Sequence, residues 1–93
     1  MKYLRVLWKH SFADEPVELL SEIDEAGFEV RKIEIFRNGL KGYASKTESE
    51  NGTRLGLEPV PCVADIASDN QFVPEEIPRD EFDVAWENRR GLP

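Results

Sequence analysis

The stretch from Phe28 to Ala44 constrains the fold most. A β-branched and aromatic run through Val30, Ile33, Ile35 and Phe36 meets Asn38-Gly39 and resumes as a second extended segment through Leu40 and Tyr43. Asn-Gly between two such runs is the strongest short-range hairpin signal, because both residues tolerate the positive φ of a type I′ turn. A chain of 93 residues has room for one core around that hairpin and none for a separate catalytic lobe.

Upstream, Leu4, Val6, Trp8, His10 and Phe12 share one parity and Arg5, Lys9 and Ser11 the other, which predicts a half-buried strand over residues 3–12. Ala13-Asp14-Glu15-Pro16 reads as a turn, and residues 17–24 as a second strand with one acidic face. Gly27 closes the next turn. In the third strand Phe28, Val30 and Phe36 differ in parity from Ile33 and Ile35. Either both faces are partly covered, or a β-bulge near Arg31 shifts the phase. Leu40 to Lys46 completes a fourth strand.

Composition changes at Lys46. Residues 46–56 are polar and glycine-containing, as in a mobile surface loop, and Pro59-Val60-Pro61 is an extended connector. Pro61 suits the first turn of a short helix with Val63, Ile66 and Ala67 on its apolar edge. Residues 70–78 read as irregular, anchored by Phe72 and Ile77. A final helix over about 78–89 carries Phe82, Ala85, Trp86 and Arg89 on one stripe, with acids leading, Arg89-Arg90 closing and Gly91 ending it.

The expected architecture is therefore α+β: a single domain over 1–93, with a four-stranded antiparallel meander in 1–46, loop and connector in 47–61, and a helical part in 62–90. Its two helices are expected on one face of the sheet.

Charge is unevenly placed. Residues 1–46 carry eight Lys/Arg and eight Asp/Glu, residues 47–93 four and eleven, so the formal charge of −7 sits in the second half. An acidic surface repels phosphate backbones and no basic stripe offsets it, so nucleic acid is not an expected partner. A protein with a basic surface is, since complementary potentials speed encounter; solubility alone also explains such acidity. Charged residues interrupt every apolar stretch well before the roughly 18 residues of a spanning helix, so no membrane association is expected. Arg5 and Lys9 interrupt what a signal peptide would require, which points to the cytoplasm. Asn51-Gly52-Thr53 is then a chance match to a glycosylation acceptor. The single Cys62 fits a reducing compartment and cannot share a metal with a second cysteine.

His10, the sole histidine, is the natural suspect for proton transfer, but its parity with Val6, Trp8 and Phe12 favours a structural role. It could edge a pocket with Trp8 and Tyr43 if the first and fourth strands approach. Arg31, Lys32, Arg37 and Arg54 could hold an anion beside the backbone of Gly52-Thr53-Arg54-Leu55-Gly56, though that loop lacks the spacing of a P-loop. Pairing of the strand cations with Glu29 and Glu34 explains them equally well. The carboxylates form no calcium-loop or helix-borne metal motif, so neither metal nor cofactor is implied.

Trp8-Lys9-His10-Ser11-Phe12 with Asp14-Glu15-Pro16, then Glu29-Val30-Arg31-Lys32, Phe36-Arg37-Asn38-Gly39, Gly42-Tyr43-Ala44, Gly52-Thr53-Arg54-Leu55-Gly56 and the terminal Phe82 and Trp86 together resemble a small bacterial family of chains of about this length, a domain of unknown function. The resemblance spans nearly the whole sequence. It implies a single-domain bacterial protein and no activity, cofactor or catalytic residue. Pro78 departs from it, standing where Ser or Thr would cap the last helix.

The function these readings favour is a non-enzymatic binding module, in one version an immunity-like inhibitor of a basic toxin or nuclease, using an acidic surface that includes Glu48, Glu50 and Glu58. The alternative is a small ligand binder or enzyme built on His10, Arg31 and Arg54, with Tyr43 in its aromatic floor.

Overall fold

Alternation of apolar and polar residues produces strands β1 (Lys2–Trp8), β2 (Glu18–Ile23), β3 (Glu29–Ile35) and β4 (Lys41–Ala44), followed by β5 (Ser49–Glu50), helix α1 (Val63–Ala67), β6 (Phe72–Glu76) and helix α2 (Arg79–Glu87). The computed structural model describes residues 1–90, so the helix end expected at Gly91 lies outside the described residues. One antiparallel sheet runs in the order β5-β4-β3-β2-β1-β6. It has six strands rather than the expected four. The meander is as expected, but the loop after Lys46 contributes β5 and the segment expected to be irregular contributes β6.

Tyr3, Leu20, Ile33 and Tyr43 fall on one face by register, and Ile77 and Phe82 join them in the core, with Ile35, Ala85 and Trp86 packed at its margin. Phe82 is 0% exposed, and its ring lies 5.5 Å from Tyr3 and 6.4 Å from Trp86. Enclosing a phenyl group this way contributes about 2–3 kcal/mol. It fastens α2 through the Phe82, Ala85, Trp86 stripe that the sequence predicts.

Leu4, Val6, Leu19 and Ser21 have the opposite parity and share a groove with Asp65 and Ile66 of α1. The two helices thus occupy opposite faces, not one. The cause is the phase of β1: consecutive residues Tyr3 and Leu4, which point to opposite faces, are both buried, so both faces need cover. Pro61 precedes α1, whose N-cap is Cys62, and Pro78 is the N-cap of α2 with no side-chain cap bond. Arg89 and Arg90 lie beyond the last turn of α2.

The β2–β3 register shifts at Glu22/Ile23, where Glu22 pairs with Arg31 and Ile23 with Glu29. Val30 is the extra residue, so the bulge expected near Arg31 is present. The hairpin at Asn38-Gly39 also forms, with a different turn. Only Gly39 has positive φ (89°); Phe36 N–H bonds to Leu40 O, Gly39 N–H to Phe36 O, and Asn38 Oδ1 accepts the Leu40 N–H. This is a three-residue loop closed by one left-handed glycine. The type I′ turn belongs instead to the second Asn-Gly: Asn51 and Gly52 have φ of 56° and 78°, and Thr53 N–H returns to Glu50 O.

That turn lays Thr53 over Gly42. A Cβ at Gly42 would collide with Thr53 Oγ1 and sit 3.1 Å from Glu50 O. Thr53 is 1% exposed, and its hydroxyl donates to Glu34 at 2.6 Å. At the other end of the sheet, Ile77 N–H bonds to Tyr3 O and Lys9 N–H to Gln71 O, so the backbone groups of Phe72, Pro74 and Glu76 point to the open edge of β6. Asp69 O already takes the Phe72 N–H, and Pro74 has none. The outer edge is therefore a poor template for a further strand.

Gly42→Ala is expected to destabilise the protein by about 1–3 kcal/mol, because the chain over β4 must shift to admit one methyl group. Urea unfolding measures it; an unchanged midpoint would contradict the packing of Thr53 on Gly42.

Candidate functional site

After Thr53 the chain crosses the second face of the sheet as a strap over residues 54–61. Gly56 N–H donates to Glu29 Oε1 at 2.6 Å and Val60 N–H to Gly27 O at 2.8 Å. Between these two fixings Leu57 stands 92% exposed. Strap, sheet and α1 enclose a groove of about 460 Å³, with Leu4, Val6 and Leu19 as its floor and Val60, Ile66 and Phe72 as its walls. That volume lies within the range of small-ligand pockets.

Its polar lining comes from Ser21, Glu29, Lys32, Glu58, Asp65 and Asp69. Glu29 and Lys32 have side chains only 9% and 16% exposed and lie 3.5 Å apart. Glu29 accepts from Gly56 N–H and, at 3.3 Å, from the Ser21 hydroxyl. Lys32 Nζ also reaches Arg54 O at 3.5 Å. The Lys32–Glu29 pairing is the one expected of sheet-face charges. Glu58, Asp65 and Asp69 are exposed on the rim and have no cation within 4 Å among the described residues.

One end of the groove runs into aromatic rings. Trp8 stacks on Phe72 (5.7 Å) and contacts His10 (4.2 Å), which stacks on the exposed Phe12 (5.4 Å). His10 Nε2 lies 2.7 Å from Pro16 O, while its Nδ1 accepts the Phe12 N–H at 3.0 Å. A carbonyl needs a donor and an N–H needs a lone pair, so the ring is held as the neutral Nε2–H tautomer. Both nitrogens are engaged by backbone, which makes His10 a brace for the 10–16 loop and a support for Trp8. Tyr43 is remote from this cluster, since β1 and β4 are separated by β2 and β3.

Arg31 lies on the α2 face. Its Nε and Nη2 donate to the Glu22 carboxylate at 2.6 and 2.9 Å and Nη2 also to Asp83 at 3.0 Å, while the guanidinium sits 4.9 Å from the Phe82 ring centroid. Tyr3 OH donates to Glu22 at 2.9 Å. The hydrogen bonds from Arg31 hold the Glu22 carboxyl below its usual range, against the opposing effect of burial. Burial, and then the bond to Glu22, pushes the Tyr3 phenol up. The bond to Glu22 raises Arg31 further. Such a clamp joins β2, β3 and α2 and commits Nε and Nη2 of the guanidinium to Glu22 and Asp83.

Glu48 forms a second clamp. Arg89 donates to its Oε1 at 2.7 Å and Arg90 to its Oε2 at 3.0 Å, with Arg89 4.1 Å from the Trp86 ring centroid and Arg90 bonded to Tyr43 OH. Arg5 is surrounded by Glu18, Glu75 and Glu81 at 3.0, 2.9 and 2.7 Å.

The residues singled out from sequence therefore divide. Glu58 lines the groove, Arg54 touches it through its backbone, and His10 supports its aromatic end. Arg31, Tyr43 and Glu48 belong to the opposite, structural face, and Glu50 is exposed on β5. His10 and Arg31 do not converge. The floor residues Leu4, Val6 and Leu19 were legible only as core, and nothing local in the sequence shows that Val6 and Leu19 are left half-buried beside the strap. The second Asn-Gly was the available signal for the strap.

Arg31→Ala is expected to cost about 3 kcal/mol in urea unfolding, because it leaves Glu22 enclosed and unpaired. Since Glu22 binds its proton more weakly when folded, its contribution is complete above the ordinary value of 4.5 and is lost as pH falls through the lower folded value. Tyr3 binds its proton more tightly when folded, so its contribution holds below 10 and is lost as pH rises through the folded value. In Glu22→Gln the acid decline in stability should flatten; an identical pH profile would count against the clamp. His10→Ala should lower stability by about 1–3 kcal/mol through the two lost backbone bonds, with the change in thermal midpoint as the readout.

Among the described residues no group of three or more His, Cys, Asp or Glu could hold a metal ion, and no helix is long and apolar enough to cross a membrane. No curated protein and no solved structure matches the chain. A family model does match, over residues 2–91, covering every element described above; the chain belongs to the family described as Domain of unknown function (DUF6881).

Proposed function

We propose that the chain is a non-enzymatic protein-binding module whose partner presents a basic surface. One observation carries the reading. From Leu55 to Pro78 the sequence holds Glu58, Asp65, Asp69, Glu75 and Glu76 and no Lys or Arg. Glu75 and Glu76 have Arg5 and Lys2 beside them, whereas Glu58, Asp65 and Asp69 face solvent around an apolar groove. Arg5, Arg31, Arg89 and Arg90 are all held by intramolecular carboxylates, so they do little to offset this surface. Complementary charge of that kind raises the encounter rate with a basic partner and rejects acidic ones. A bacterial immunity-like inhibitor that covers a cytoplasmic toxin or nuclease is the specific version, and it rests on analogy of surface character rather than on the fold.

Immobilised protein should retain a basic partner from source lysate at low salt and release it at high salt. Glu50→Lys with Glu58→Lys should slow association about tenfold or more and flatten the salt dependence. Glu48 is a poor choice for this test because its reversal would break the Arg89 and Arg90 contacts. Unchanged association kinetics in the double variant would overturn the electrostatic reading.

A further inference from the structure

We infer that the groove between the strap and the second sheet face is a docking site for an extended segment of the partner protein, with an apolar residue flanked by Lys or Arg. This rests on the protein-binding reading above and adds the surface and the chemistry of what it takes.

The groove has three parts that one such segment would satisfy together. Its floor of Val6 and Leu19 is apolar and only half-buried, so an aliphatic or aromatic anchor would bury surface there. Glu58 on the strap and Asp65 on α1 stand on its rim without a cation within 4 Å among the described residues. They would pair with basic side chains on either side of the anchor. At the back, Lys32 Nζ has three donors and, among the described residues, two oxygens bonded to or paired with it, each 3.5 Å away. It retains a donor for a backbone carbonyl of the segment.

The alternatives on the surface are weaker. The outer edge of β6 is blunted by Pro74 and by the bonded Phe72 N–H, so strand addition is disfavoured. On the α2 face, exposed Leu7 and Val73 lie beside Arg5, which three carboxylates already surround. An acidic occupant of the groove would meet the rim acids, and a purely apolar one would leave them unpaired.

The test pans the intact protein against a display library of random twelve-residue peptides and follows one enriched synthetic peptide by amide chemical-shift mapping and by titration. Enriched sequences are expected to carry an apolar residue between Lys or Arg, with shifts at Val6, Leu19 and Ile66. Glu58→Lys with Asp65→Lys, both exposed and outside the hydrogen-bond network, should weaken binding at least tenfold at unchanged thermal midpoint. Val6→Thr, of equal size and charge, should weaken it several-fold. Acidic enriched sequences, shifts confined to the α2 face, or no enrichment would overturn the groove. If the whole partner is captured and both groove variants still capture it, the groove fails while the protein-binding reading stands. If the wild-type protein captures no partner and enriches no peptide, both fail.

Discussion

The enclosure of Phe82 between Tyr3, Leu20, Ile33, Tyr43 and Trp86 is the contact on which the rest of the structure depends. A chain this short can complete one well-packed core and little more, and this one completes it on the α2 face. Arg31 closes over the ring and joins Glu22 to Asp83, while Arg89 and Arg90 tie the end of α2 to Glu48 and Tyr43. The strongest cations are thereby drawn into the structural face. What remains around the opposite face is apolar side chain, the Lys32–Glu29 pair and the exposed carboxylates Glu58, Asp65 and Asp69.

The second face is covered differently because no long helix is left to cover it. A strap of irregular chain does so, fixed by a few bonds: Thr53 to Glu34 over Gly42, Gly56 to Glu29, and Val60 to Gly27. Irregular backbone cannot bury its polar groups as a helix does, so it needs individual partners for them. Glu29 supplies one from a nearly enclosed position. A strap held at points and not along its length leaves a groove beneath it, and that geometry separates this face from an ordinary core.

Much of this was legible in residues. The central hairpin, the bulge beside Arg31 and the Phe82, Ala85, Trp86 stripe all follow from periodicity. The turn at Asn38-Gly39 differs from the expected type I′ because the Asn38 side chain accepts the Leu40 N–H and needs no left-handed backbone of its own. Asn51-Gly52 lies in a polar stretch without flanking hydrophobic runs, which is the pattern of a mobile loop, yet its turn makes β5 and places Thr53. β6 was hidden because Phe72-Val73-Pro74-Glu75-Glu76 pairs on one side only; an edge strand tolerates Pro and two acids that would exclude an interior one. The opposite placement of the helices follows from burial at both Tyr3 and Leu4, which a strict period-two reading of β1 cannot express. For the groove, Glu58 and the Glu29–Lys32 pairing were visible, but the floor was indistinguishable from core, since only tertiary structure shows whether an apolar strand residue has a neighbour above it.

The central claim is that the strap is a fixed part of the fold, so that the groove exists before any partner arrives. Native-state amide hydrogen exchange tests it most directly. If the claim holds, the N–H groups of Gly56 and Val60 will exchange far more slowly than that of Leu57 between them, with protection approaching that of Leu20 and Ile33. Exchange of Gly56 and Val60 at the rate of an open loop would contradict it, because the strap would then be detached for much of the time and the groove would not be a built feature.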